Sequence, residues 1–123
     1  MPRAPLLTAF LTALLMVAIV VLELTPQWGF HSGTRLVALL DHVLAYGLLM
    51  LPAALLRPGW LHALWPLAAA FAGLMEALQP AVQWRGALSH WLAACFGILI
   101  VTLSCWLVMG LMELVKAGKD RDW

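Results

Sequence analysis

The sequence predicts an all-α, polytopic membrane protein, a bundle of four transmembrane helices. The chain of 123 residues is 64% apolar and only 11% charged, whereas a soluble domain carries about a quarter charged residues. A globule this small has too much surface for its volume to hide that many apolar side chains from water. The apolar residues also fall into four runs, 5–24, 35–56, 61–79 and 88–115. Each is long enough for a hydrocarbon layer, which takes about 20 helical residues. No internal repeat, low-complexity segment or long linker separates them, so residues 1–123 read as one domain.

The first run follows Met1-Pro2-Arg3 and superficially resembles a signal peptide. Its stretch from Pro5 to Leu22 exceeds the usual apolar region of roughly 7–15 residues. It ends at Glu23-Leu24-Thr25-Pro26 without a small-x-small cleavage site, so an uncleaved span is expected. The connection to the second run holds Pro26, Trp28, Gly29 and Gly33, a loop composition. Arg57-Pro58-Gly59-Trp60 then reads as a tight turn, with proline fixing φ and tryptophan marking the headgroup level. The third connection, 80–87, carries Trp84 and Arg85. Pro52 and Pro66 fall inside spans, where neighbouring helices can repair the freed carbonyl and a local kink is the plain expectation. The fourth run can tilt or pass beyond the membrane surface. The polar tail from Lys116 to Trp123 is expected to fray.

Four spans put both termini and the second connection on one side. That side holds Arg3, Arg57, Lys116, Lys119 and Arg121, against Arg35 and Arg85 opposite. The positive-inside rule then places both termini in the cytoplasm. A net charge of +1 without a dense basic run excludes a nucleic-acid partner. Cys95 and Cys105 share one run and lie about 15 Å apart along a helix, too far for a disulfide. They read as thiols in an apolar setting.

In this topology the polar residues gather at the outer end. The stretch 73–90 sits between two apolar runs yet holds Glu76, Gln79, Arg85 and His90. Ionisable groups at membrane depth are expensive and mark a functional site by default. Arg35, His42 and Tyr46 are seven and four residues apart and share a helix face, as do Glu76 and Gln79 at a spacing of three. Asp41 is adjacent to His42 but about 100° around the helix, so the two face different neighbours. His90, Ala94, Gly97 and Val101 form a stripe whose small residues permit close helix approach. The candidate site is therefore Arg35, Asp41, His42, Tyr46, Glu76, Gln79, Arg85 and His90, lining an outward-opening polar cavity. Glu76 is expected to pair with Arg85, Arg35 or His42, because an unpaired buried carboxylate is too costly. Against this stands a plainer account: a helix-end Arg35 or Glu23 can simply snorkel to the interface, and an intramembrane ion pair can simply lock a bundle. His31 and His62 read as surface residues. His42, Glu76 and His90 are metal-ligand types, but no compact ligand motif joins them. No metal and no cofactor is expected.

The segment His42-Val-Leu-Ala-Tyr46, then Gly73-Leu-Met-Glu76-Ala-Leu-Gln79, then Arg85 and a small-residue helix through Gly97, resembles the VanZ-like family of bacterial membrane proteins. The likeness covers residues 36–100. The family pattern runs Asp-Lys-x-x-His-x-x-x-Tyr, Gly-x-x-x-Glu-x-x-Gln, an Arg, and an Asp-x-x-x-Asn-x-x-Gly helix. Here Ala38-Leu39 replaces the Asp-Lys, and His90 and Ala94 stand at the later Asp and Asn, which implies a divergent subgroup. The resemblance implies a multi-pass protein of the bacterial inner membrane and cell envelope, in a family without a settled biochemical activity.

Three functions are open to such a chain. It can bind an amphiphile, an anionic envelope ligand or a membrane-protein partner in its polar cavity, in contact with membrane lipids. It can be an intramembrane enzyme on a lipid-linked substrate, with His42, Glu76 or His90 moving protons and Arg35 and Arg85 holding an anionic group, although no nucleophile motif accompanies them. It can be a small transporter subunit, for which the chain lacks an inverted repeat. The first is the expectation carried forward.

Overall fold

The computed structural model describes residues 3–25, 35–79 and 88–121. Four helices account for nearly all of them: α1 (Arg3–Leu24), α2 (Arg35–Leu56), α3 (Leu61–Leu78) and α4 (Leu88–Arg121). All four are long and apolar enough to cross a membrane. This is the all-α four-helix architecture that the apolar runs predict. Leucines, valines and phenylalanines along every helix remain exposed, among them Leu6, Phe10, Leu44, Leu67 and Phe96. In water that surface would be untenable. Against lipid it is the solvent-facing side.

The short connection between α2 and α3 is tight because Pro58 starts a single 3₁₀ turn over Pro58–Trp60. The Trp60 amide donates to the Arg57 carbonyl at 2.9 Å, and the Arg57 guanidinium lies 5.6 Å from the Trp60 ring centre. The turn therefore keeps its charge and its aromatic together at one end of the bundle. Helices α2 and α3 run through Pro52 and Pro66 without a break.

Helices α2 and α4 form the main pair, with α3 against α4 and α1 against α2. The α2–α4 seam is close because its facing residues are small. A Cβ at Gly97 would collide with the Val43 carbonyl oxygen, and one at Gly47 would lie 3.4 Å from the Gly97 oxygen. Helix α4 is tied to α3 by the Trp91 indole N–H, which donates to the Ala69 carbonyl at 3.0 Å. The core formed between the helices includes Ile19, Tyr46, Leu49, Met50, Leu61 and Ile98. Cys95 and Cys105 are free thiols.

One expectation is corrected. Helix α4 does not fray at Lys116 but continues to Arg121, 34 residues in all, or about 51 Å at 1.5 Å per residue. The segment 107–121 is exposed throughout. Its residues Glu113, Lys116, Lys119, Asp120 and Arg121 mix both signs at short spacing, a pattern that supports a helix in water without tertiary packing.

Candidate functional site

The up-down path of the chain brings the last turn of α1, the first turns of α2, the last turn of α3 and the start of α4 to one end of the bundle. Each brings a polar side chain. His42 and Tyr46 come from one face of α2, and both are buried, as are Glu23 from α1 and Gln79 at the close of α3. Glu76 and His90 sit at the edge, with side chains 11% and 17% exposed.

His42 is the hub. Its Nδ1 lies 2.8 Å from the Ala38 carbonyl oxygen one turn back. A carbonyl can only accept, so Nδ1 carries the proton and the tautomer is set by the helix itself. The other nitrogen, Nε2, then faces two carboxylates, 3.2 Å from Glu23 Oε1 and 3.5 Å from Glu76 Oε1. The second Glu23 oxygen, Oε2, accepts the Tyr46 hydroxyl at 3.1 Å. The second Glu76 oxygen lies 3.9 Å from His90 Nδ1. The two imidazoles are nearly parallel, at 16°, with centres 4.7 Å apart. All four helices thus contribute to a single knot of two acids, two imidazoles and a phenol.

Gln79 is the odd member. It is fully buried, yet neither atom of its amide finds a hydrogen-bond partner among the described residues. It lies one turn beyond Glu76 on the same face of α3. A buried amide left without partners costs about 1–3 kcal/mol, and a ligand's polar group at that end would relieve the cost.

Of the sequence-predicted residues, the structure brings together His42, Tyr46, Glu76 and His90, with Gln79 a turn away. Glu76 pairs with His42, one of its three expected partners. Arg35 is exposed at the start of α2 and Asp41 is half-buried. Among the described residues neither makes an ion pair. Arg85 lies outside the described residues. Glu23 is the member that sequence reasoning underrated: the snorkelling account of it is overturned, because its side chain is turned inward and fully enclosed. The available signal was a lone acid at the end of a span otherwise free of charge after Arg3. His62 is exposed, as expected, with its ring 4.8 Å from that of Trp106.

An apolar cleft lies beside the cluster. The Tyr46 ring lies 6.0 Å from that of Phe71. Phe71 in turn lines a cleft of about 290 Å³ between α1, α2 and α3, together with Thr12, Met16, Leu49, Met50 and Leu64. It exists because α1 and α3 touch only sparingly.

Chemically, the arrangement offers acceptors, donors and titratable nitrogens within hydrogen-bonding reach of one another. It can hold a polar head group, relay a proton or bind a cation. Compared with protein-family models, with curated proteins and with solved structures, the chain matches none.

Proposed function

We propose that this chain binds an anionic amphiphile, with the head group at the polar end of the bundle and an acyl tail in the cleft between α1 and α3. The observation that carries the reading is adjacency: the Tyr46 ring of the buried polar cluster lies 6.0 Å from that of Phe71, which lines the apolar cleft. An amphiphile has that same division of chemistry. The unpartnered Gln79 amide supplies hydrogen bonds for a head group. Arg35 stands exposed at the same end of α2, and the reading pairs it with Arg85 of the third connection as the clamp on the anionic group. A guanidinium bonds phosphate or carboxylate through two parallel N–H groups, a geometry that lysine cannot copy.

Arg85→Lys is therefore expected to fold normally but to lose most of the ligand's effect. The measurement is melting in detergent with and without added phosphatidylglycerol. Equal stabilisation of wild type and Arg85→Lys would sink the clamp.

The resemblance of the His42…Tyr46 and Glu76…Gln79 segments to the VanZ-like family supports a place in the bacterial inner membrane, serving the cell envelope. The excess of positive charge at the termini and at Arg57 supports a cytoplasmic location for both termini. Cysteines introduced at Gly33 and Gly86 should then react with an impermeant thiol reagent added outside intact cells, in a background lacking Cys95 and Cys105. Those at Gly59 and Gly118 should not. The reverse pattern would invert the orientation and move the polar cluster to the cytoplasmic end.

A second reading, an intramembrane enzyme on a lipid-linked substrate, is favoured by one observation: Glu23, His42 and Glu76 are close enough to pass a proton. Product formation from a bound lipid-linked substrate separates it from simple binding.

A further inference from the structure

We propose that the polar cluster is a binding site for a single first-row transition-metal dication, held by His42 Nε2, a Glu76 carboxylate oxygen and His90 Nδ1, with Glu23 Oε1 as fourth donor. One ligand comes from each helix. This goes beyond the amphiphile reading and does not depend on it.

Spacing is the first argument. The donor atoms of His42, Glu76 and His90 lie within 4.8 Å of one another. Around a tetrahedral ion with bonds of about 2.0–2.2 Å, donors lie about 3.3–3.6 Å apart. His42 Nε2 meets that separation with Glu23 Oε1 at 3.2 Å and Glu76 Oε1 at 3.5 Å, whereas His90 Nδ1, 3.9 Å from Glu76 Oε2, must draw closer. The adjustment needed falls on His90, the most exposed of the set, whose ring lies nearly parallel to that of His42 and must turn to aim Nδ1 at a shared ion.

The surroundings of the donors give the second. A metal-ligating histidine usually donates its other N–H to a carbonyl or carboxylate, which sets the tautomer and orients the ring. His42 has that arrangement, Nδ1 on the Ala38 carbonyl and Nε2 turned to the acids. Glu23 is held in the same way, one oxygen accepting from Tyr46 while the other faces His42. These supports lie on rigid helix backbone and on the buried Tyr46, so His42 and Glu23 are oriented before an ion arrives.

The third argument is charge and softness. Two carboxylates can balance the charge of a dication at a site enclosed at membrane depth. Two imidazole donors disfavour magnesium and calcium, which take oxygen ligands, and favour zinc, cobalt or iron. No compact motif announces the set because its members are scattered over α1, α2, α3 and α4. The expectation of no metal rested on that missing motif alone.

The test uses the full chain in detergent, with any affinity tag removed and metal stripped by a chelator, then titrated with cobalt(II). The expected result is one equivalent of cobalt per chain, intense visible d–d bands of a four-coordinate ion, and displacement by zinc. His90→Ala should weaken binding more than about 100-fold, and Tyr46→Phe, which removes only a support, by about 10-fold. His62→Ala, an exposed histidine at the other end, should bind as wild type does. Should His90→Ala not fold, wild type and Tyr46→Phe still decide. A wild-type chain that leaves cobalt as its free aquo ion, or that binds it equally well after Tyr46→Phe and His90→Ala, overturns the proposal. The lipid-dependent melting shift is read separately, so either result can fail alone.

Discussion

Glu23→Ala is expected to destabilise the bundle by about 2–6 kcal/mol, about 1–3 kcal/mol for each of the two buried groups that lose a polar partner. The carboxylate is fully enclosed and serves two neighbours at once, Tyr46 through Oε2 and His42 through Oε1. Alanine deprives a buried phenol of its acceptor and an imidazole nitrogen of one carboxylate. Glu23→Gln keeps an acceptor for Tyr46 and loses the charge, so a smaller loss of about 1–3 kcal/mol is expected. Tyr46→Phe removes the other half of the hydrogen bond. Because the two residues touch, the double variant should cost less than the sum of the singles, by roughly 0.5–3 kcal/mol. Reversible unfolding in mixed detergent measures all four chains. A loss within about 0.5 kcal/mol for Glu23→Ala is what an ordinary surface position gives, and would return Glu23 to the snorkelling account.

Glu23 also shows where sequence reading stops. The spans were legible because a membrane imposes length and hydropathy on each helix independently of its neighbours. The run 35–56 coincides with α2, and 61–79 ends one residue beyond α3. The collection of polar residues at one end was legible for the same reason, since it needs only the up-down path. Which of them turn inward depends on how each helix is rotated about its axis. Helix α2 has a polar face through His42 and Tyr46 that fixes its rotation, and both residues are buried as expected. Helix α1 is apolar on all sides between Arg3 and Glu23 except for Thr8 and Thr12. Nothing local tells its final acid to face the bundle. Arg35 and Asp41 illustrate the converse, being polar residues at the same level that packing leaves outside the knot. The helical tail to Arg121 is not legible from polarity alone, which suits a frayed end as well as the solvated helix that its mixed charges favour.

The α2–α4 seam yields the other large effect. Gly97→Ala adds one methyl group, and in an isolated helix that change would be favourable by up to about 1 kcal/mol through propensity. Here the opposite sign is expected, a loss of about 1–3 kcal/mol. The added Cβ meets the Val43 carbonyl oxygen and its neighbouring backbone atoms. Backbone cannot swing aside as a side chain can, so the two helices must move apart. In lipid they gain little from burying apolar surface against each other, and van der Waals contact across small residues is what holds them. Separation therefore has no compensating term. Gly97 lies seven residues beyond His90 on the same stripe, so widening the seam also draws His90 from His42 and should weaken any ligand held between them. Gly110→Ala is the internal control, because nothing lies within 4 Å of a Cβ built there. It should be neutral or slightly stabilising. If both alanines shift the unfolding midpoint in the same direction and by the same amount, propensity rather than packing governs α4, and the close approach at Gly97 is not what holds the pair together.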